Sequence, residues 1–557
     1  MVREDEAMSK NSDVALDDVF TATTGSVFVS GIQALVRLTL EQMWLDEARG
    51  LKTASFVSGY PGSPLGGVDM EFDRAKRFLD PAGVRFQHGL NEELAATAVV
   101  GTQFVDQLPG ATYDGVVGYW FGKNPGLDRA ADALRHGNYA GTTPLGGAVA
   151  MIGDDPSSKS STLPSSSAEM CESLMIPAFN PSTVGELITY GLHAVAMSRA
   201  AGVFTALRVV TDLADAAAVV DLVDPSTFIA PPDPDRFTLR HVLLGNRAVE
   251  AEQDLFEHRI PLAMAYGKAN RLNAVTFEAS RATIGIIASG VTYATVLRAF
   301  EILGIDQPAL EQMGVRLIKI GLIWPLDHEE FRAFTAGLSQ VFVVEDKRPF
   351  LELHIRDALY GAPNLPVILG KNDEDGSPLI PSWGSMDVDG VVAVLAKVLE
   401  RHNPPQYVVD EIARIRRPKH RLSVTALPVR QPYFCSGCPH NRSTRADDDQ
   451  LVGVGIGCHV MVAFQDEHRG HKVGMTQMGG EGTQWIGMAP FTSDAHYVQN
   501  LGDGTFFHSG SLAIRAAVVA GVNVTYKLLY NRAVAMTGGQ QPTGVLEIPQ
   551  LTSWLAL

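Results

Sequence analysis

From Val27 onward the chain alternates short apolar runs with longer segments whose apolar residues recur at helical spacing. The runs SVFVS, TASFVS, TIGIIASG, VRLIKIGLIWPL, QVFVVED and LPVILG read as strands, and segments such as Ile32 to Ala48 and Val291 to Leu303 read as the helices between them. A strand, a Gly/Pro-rich loop and a helix follow one another at Gly59-Tyr60-Pro61-Gly62-Ser63-Pro64-Leu65-Gly66-Gly67, and the pattern recurs at the turn Lys123-Asn124. That order predicts an α/β fold of several domains with doubly wound parallel sheets, whose ligand-facing edges lie at the strand ends.

The expected partition is a polar tail over 1–24, a first α/β domain over 25–224, and a mostly helical, charged bridging segment over 225–280. A second α/β domain follows over 281–402, a basic linker over 403–430, and a third α/β domain over 431–557. Clustered prolines at Pro225, Pro231, Pro232 and Pro234 mark the first boundary, and NPPQ with IARIRRPKHRL marks the second.

Composition narrows the class. In 557 residues, 46% are hydrophobic and 19% charged, which provides for a sizeable core. A net charge of −17 disfavours nonspecific binding to nucleic acid or to an anionic membrane. The acidic N-terminus has no apolar centre, so no signal peptide is expected, and His193, Arg199 and Arg208 interrupt the most apolar stretch, Leu187 to Val210. The expected compartment is the cytoplasm. Four cysteines are too few for a disulfide framework.

The stretch Asn500 to Gln540 carries the most specific chemistry. A buried strand ends at Leu501, Gly502-Asp503-Gly504 turns the chain, Phe506 to Val519 has helical spacing, and Val522 to Leu529 reads as a second strand. Such a βαβ unit brings both strand ends to one edge, so Asp503 and Asn531 can meet there. A carboxylate with an amide oxygen suits Mg²⁺, which completes its shell with substrate phosphates, and the flanking glycines let backbone approach a diphosphate. This arrangement resembles the metal-diphosphate motif of thiamine diphosphate enzymes, which implies Asp503, Asn531 and the backbone oxygen of Ala533 as Mg²⁺ ligands, with Gly502 and Gly504 at the cofactor.

Other positions leave two or more readings open. Glu92 and Glu93, after Asn91, stabilise a helix start by opposing its dipole, or one of them faces the pyrimidine ring of the cofactor. The serine run after Asp154-Asp155-Pro156 is a plain loop or a wall of the substrate pocket. Cys435 and Cys438 form a CxxC with Cys458 nearby. They offer three ligands to an iron-sulfur cluster, a Cys₃His zinc site with His440 or His459, or thiols without metal. Cys171 is expected to be a buried small hydrophobe.

Taken together, YPGSPLGG, LNEELAATAVVG, GDDPSSKSST, IASGVTYATV, CSGCPHN, GIGCH and GDGTFFHSG…YNRAVAMTGGQ resemble the 2-oxoacid:ferredoxin oxidoreductases, and within them the long fused form of the indolepyruvate branch. The resemblance implies a pyrimidine-binding domain, a transketolase-C-like domain and a diphosphate-binding domain. It also implies that Glu92 is the pyrimidine-ring carboxylate and that Tyr60, Pro61, Gly62 and Ser63 lie at the cofactor. Cys435, Cys438 and Cys458 would be three ligands of a [4Fe-4S] cluster. The implied reaction takes an arylpyruvate to acyl-coenzyme A and carbon dioxide with electrons to ferredoxin, in a homodimer. Fused relatives continue beyond the point matched by Leu557, so the diphosphate domain is expected to be incomplete and the fourth cluster ligand to lie outside this chain. Two other readings are a nonoxidative thiamine decarboxylase or carboligase, and a subunit inactive without its missing part.

Overall fold

A computed structural model describes residues 15–222, 227–228, 239–417 and 431–557. The chain divides into two compact units, one of residues 1–87 and 92–418, the other of 88–91 and 419–557.

The larger unit opens with β1 (Ser26–Ser30), which pairs antiparallel with β8 (Ala217–Asp221). Between them run β2 (Thr53–Gly59), β3 (Val84–His88), β4 (Gly115–Lys123), β5 (Ala148–Asp154), β6 (Ala178–Phe179) and β7 (Phe204–Val210). A second group follows: β9 (Asn273–Glu278), β10 (Ile284–Ser289), β11 (Val315–Ile320), β12 (Leu322–Trp324), β13 (Gln340–Val344) and β14 (Val367–Leu369). The first large sheet has the order β12-β6-β7-β5-β4-β2-β3 and the second β14-β13-β10-β11-β9. The pairs β2-β4, β4-β5 and β5-β7 are parallel, so their carboxyl ends form one edge. Every residue of β5 is buried, as a strand covered on both faces requires.

Four features depart from the sequence-based partition. Asn273 to Glu278, expected in a helical bridge, is an antiparallel edge strand on β11, so the second sheet begins before residue 281. The run VRLIKIGLIWPL, expected as one strand, breaks at Gly321: β11 stays in the second sheet and β12 joins β6 of the first. A β-carbon at Gly321 would stand 2.5 Å from both the Leu272 carbonyl oxygen and the Tyr190 hydroxyl, so only glycine fits the crossing. One hydrophobic core therefore holds residues of both sheets, Val149 and Leu207 together with Ile287, Ile318 and Val341. Gln406–Arg416, expected in a linker, is a helix that buries Val408 and Ile412 in the second core cluster.

Part of the expected tail is also fixed. Val19 and Phe20 are buried, and the buried Arg37 guanidinium donates to the Val19 carbonyl at 2.6 Å and to that of Ala22. Residues 1–14, 223–226, 229–238 and 418–430, which include the rest of the expected tail and parts of both expected linkers, lie outside the described residues.

The smaller unit contains β15 (Ala446–Val454), β16 (Arg469–Met475), β17 (Tyr497–Gly502) and β18 (Val524–Leu529) in the order β16-β15-β17-β18, all parallel. The helix Ser511–Ala520, preceded by one π-helical turn, joins β17 to β18. Near the end of the chain, the helix Ile548–Leu555 buries Leu551 against Leu501 and Phe506, while Ile548 and Leu557 stay exposed. Among the described residues no helix is long and apolar enough to cross a membrane.

Candidate active site

In the larger unit, three neighbouring strands deliver polar groups to one edge. β2 leads into Tyr60, Pro61, Gly62 and Ser63; β4 ends on Lys123; β5 ends on Asp154 and leads into Asp155. Tyr60 is buried. The Lys123 stem passes close over Gly62, whose β-carbon would stand 2.9 Å from Cδ of Lys123. The serine run is an ordered loop built on one carboxylate. Asp155 Oδ1 accepts the Lys159 N–H at 2.9 Å, and Oδ2 accepts those of Ser160 at 2.8 Å and Ser161 at 2.9 Å. Burial pulls the Asp155 carboxyl upward, but these N–H groups outweigh it and hold the group below its usual range. A hydroxyl-to-hydroxyl hydrogen bond between Ser63 and Ser160 ties this loop to the turn after β2.

Glu92 opens the helix Glu92–Thr102 and is 7% exposed, whereas Glu93 faces solvent. Trp120 Nε1 donates to the Glu92 carbonyl at 2.9 Å, and Arg129 Nε lies 3.9 Å from the carboxylate. Gly126 admits the side chain: a β-carbon there would stand 2.7 Å from Glu92 Cγ. Sequence reasoning placed Lys123 only at a turn and missed Trp120, Gly126 and Arg129, because nothing in linear spacing links them to Glu92.

In the smaller unit, β17 and β18 end in register, Gly502 opposite Leu529. Asp503, 2% exposed, organises the turn after β18: its Oδ2 accepts the N–H of Asn531 at 2.9 Å and of Arg532 at 2.5 Å, and its Oδ1 accepts that of Gly504 at 2.9 Å. Asn531 Oδ1 accepts the Ala533 N–H at 3.0 Å. Arg532 takes a left-handed φ of 58°, and Gly504 is pressed so closely that a β-carbon would lie 3.2 Å from Val534 Cγ2. Asp503 Oδ2 is filled by its two N–H bonds, whereas Asp503 Oδ1 and Asn531 Oδ1 each accept one and keep a lone pair. A hard oxygen set of carboxylate, amide and backbone carbonyl fits Mg²⁺.

Two further groups bear on this edge. Glu481, fully buried, accepts N–H bonds from Ile456 at 3.2 Å and Gly479 at 2.7 Å and so joins the loops after β15 and β16. His459 is 1% exposed and, among the described residues, neither ring nitrogen has a partner; burial pushes its imidazole down to about 4.

Cys438 and Cys458 are half-buried and Cys435 is exposed. Burial pushes the Cys458 thiol up, and the charges of Cys438 and Cys435 add to that effect, so the three sulfurs share one neighbourhood. They do not, however, form a metal-holding group: among the described residues no set of three or more His, Cys, Asp or Glu is so arranged. The same geometry gives no Cys₃His zinc site with His440 or His459. Cys171 is buried, and burial pushes its thiol up to about 12, as an inert small hydrophobe would be.

Comparison with known proteins accords with these halves. The Indolepyruvate oxidoreductase domain matches residues 274–421, and the thiamine pyrophosphate enzyme C-terminal TPP binding domain matches residues 455–547. The chain is 26% identical over 546 residues to indolepyruvate oxidoreductase subunit IorA of Methanothermobacter marburgensis, covering 95% of this chain and 79% of that protein. It is 27% identical to the subunit of the same name from Methanothermobacter thermautotrophicus, with 95% and 79% covered. Among solved structures, it is similar to a 2-oxoglutarate:ferredoxin oxidoreductase from Magnetococcus marinus with 2-oxoglutarate, coenzyme A and succinyl-CoA bound, at 15% identity and a TM-score of 0.47 over 68% of this chain and 66% of that one. With matches to an indolepyruvate oxidoreductase domain and to a thiamine pyrophosphate-binding domain, and with relatives along 95% of its length, the chain is similar to the indolepyruvate oxidoreductases.

Proposed function

We propose that the chain takes part in the thiamine diphosphate-dependent oxidative decarboxylation of a 2-oxo acid, an arylpyruvate such as indolepyruvate, to the acyl-coenzyme A. The observation that carries this reading is the turn Asn531 to Ala533 wrapped around the Asp503 carboxylate at the end of β17. Asp503, Asn531 and the Ala533 carbonyl would hold Mg²⁺ and through it the diphosphate, with Gly502 and Gly504 letting backbone come close. Thiamine diphosphate, when bound, supplies the nucleophilic carbon that attacks a 2-oxo group. Glu92 would hold a proton on the pyrimidine ring nitrogen, a role that suits a buried carboxylate and not the exposed Glu93. Tyr60 to Ser63 would line the cofactor.

Ferredoxin as acceptor, a homodimer, and a [4Fe-4S] cluster on Cys435, Cys438 and Cys458 with a fourth ligand from elsewhere complete the reading. The relatives match this chain over 79% of their own length, so the cluster and its electron transfer belong to the proposal for the whole assembly. A nonoxidative thiamine decarboxylase is the second reading, favoured by the three sulfurs not forming a metal-holding group. An anaerobic assay of a small 2-oxoacid panel with viologen and coenzyme A decides between them. Coenzyme A-dependent viologen reduction with arylpyruvates supports the first; carbon dioxide release without viologen reduction or any need for coenzyme A supports the second.

A further inference from the structure

Lys123 closes β4, between the turn after β2 and the loop after β5. Its stem runs over Gly62, with Cδ, Cγ and Cε at 2.9, 3.1 and 3.3 Å from where a β-carbon of residue 62 would be. The ammonium group lies in the fields of Glu92 and Asp155, yet among the described residues it makes no ion pair and no hydrogen bond of its own. Neither carboxylate is free to close on it. Asp155 is committed to the N–H groups of Lys159, Ser160 and Ser161, and Glu92 lies against Arg129 and in the space left by Gly126. Burial makes the charge on Lys123 costly, and the two carboxylates compensate it from a distance.

A half-buried cation without a contact partner, at the ligand-facing edge of a parallel sheet, is completed by an anion brought in from solution. We propose that the Lys123 ammonium is the anchor for the carboxylate of the 2-oxo acid substrate. This rests on the function proposed above and assigns its substrate's charged end to a residue. The proposed Mg²⁺ would take its oxygen ligands from the smaller unit and hold the diphosphate itself, so Lys123 is not required for either. The hydroxyls of Ser63 and Ser160, bonded to each other beside Gly62, flank the anchor.

The test uses the full chain loaded with thiamine diphosphate and Mg²⁺, and two probes that cannot be decarboxylated. Indole-3-lactate keeps the carboxylate; indole-3-ethanol lacks it. Calorimetric titration of wild type, Lys123→Met, Lys123→Gln and Lys123→Arg reads the result. The expected outcome is a loss of indole-3-lactate affinity of tenfold or more in both neutral variants, recovery to within threefold in Lys123→Arg, and unchanged indole-3-ethanol and thiamine diphosphate affinities. Unchanged indole-3-lactate affinity in the neutral variants, or an equal loss in Lys123→Arg, overturns the assignment. A raised KM for coenzyme A with an unchanged KM for the 2-oxo acid also overturns it, because the cation then serves a phosphate. If wild type binds thiamine diphosphate but no 2-oxo acid or analogue, the parent reading fails and the anchor with it.

Discussion

Asp503 and Asn531 are joined across the ends of two parallel strands, the Asp503 Oδ2 accepting the Asn531 N–H at 2.9 Å. One carboxylate thus shapes the turn that carries the other proposed metal ligands. In Asp503→Ala the N–H groups of Gly504, Asn531 and Arg532 all lose their acceptor. The expected result is loss of measurable thiamine diphosphate binding in Mg²⁺, with a stability cost of about 1–3 kcal/mol for each N–H that stays out of water. Calorimetry with the cofactor and urea unfolding check the two parts; unchanged cofactor affinity would remove Asp503 from the site.

The first two positions of one helix make opposite predictions. Glu92→Gln keeps the shape of a buried side chain but cannot hold the ring proton as a carboxylate does. Cofactor C2 proton exchange, followed by NMR, is expected to slow by about 10²-fold or more. Glu93→Gln, at an exposed position, leaves exchange at the wild-type rate. The reverse result assigns the role to Glu93.

Gly126→Ala tests the position of Glu92 without changing its charge. The added methyl would lie 2.7 Å from Glu92 Cγ, so the carboxylate must shift. Exchange at C2 should slow by about tenfold or more, since displaced catalytic groups lose rate steeply, while thiamine diphosphate affinity stays near that of wild type. Wild-type exchange would show that the carboxylate is not held in a working position.

A buried ion pair far from these edges sets a stability prediction. Arg199 donates to both oxygens of Asp46, at 2.7 and 2.6 Å, and Asp46 is 1% exposed. Arg199→Met leaves that carboxylate buried with, among the described residues, Gln42 and Thr53 as its remaining side-chain partners, and is expected to cost about 3–5 kcal/mol in urea unfolding. A loss below about 1 kcal/mol would show that the pair is dispensable.

Acid should weaken the fold through His193. Burial pushes its imidazole down to about 4 from an ordinary 6.5, and its Nδ1 lies 2.9 Å from the Tyr266 hydroxyl. Below pH 6.5 the unfolded chain takes up a proton that the folded chain refuses, so stability falls as pH drops from 6.5 toward 4. The loss is up to about 3 kcal/mol, and His193→Gln should flatten it. Glu345 acts with the opposite sign. Burial pushes it up to about 7 despite N–H bonds from Glu352 and Leu351, so its contribution is present below 4.5 and lost as pH rises through 7. Unfolding curves across this range distinguish the two, and an unchanged acid slope in His193→Gln would remove His193 as the cause.

What the sequence alone determined is what lies close together along the chain. The run ending at Leu501, the glycines around Asp503 and the apolar stretch before Asn531 specify a strand, a turn, a helix and a strand locally, because side-chain period and turn chemistry act over a few residues. The two strand ends then have to be neighbours. Tertiary structure decided the rest. Only the order β5-β4-β2 puts Lys123 over Gly62 and within the fields of Glu92 and Asp155, because the ends of strands far apart in sequence become adjacent through hydrogen-bond pairing. Only the packing of the helix Glu92–Thr102 against the helix that starts at Asn124 turns Glu92 inward and leaves Glu93 in water. The break at Gly321 has the same origin: the apolar run reads as one strand, and close contacts with Leu272 and Tyr190 divide it between two sheets.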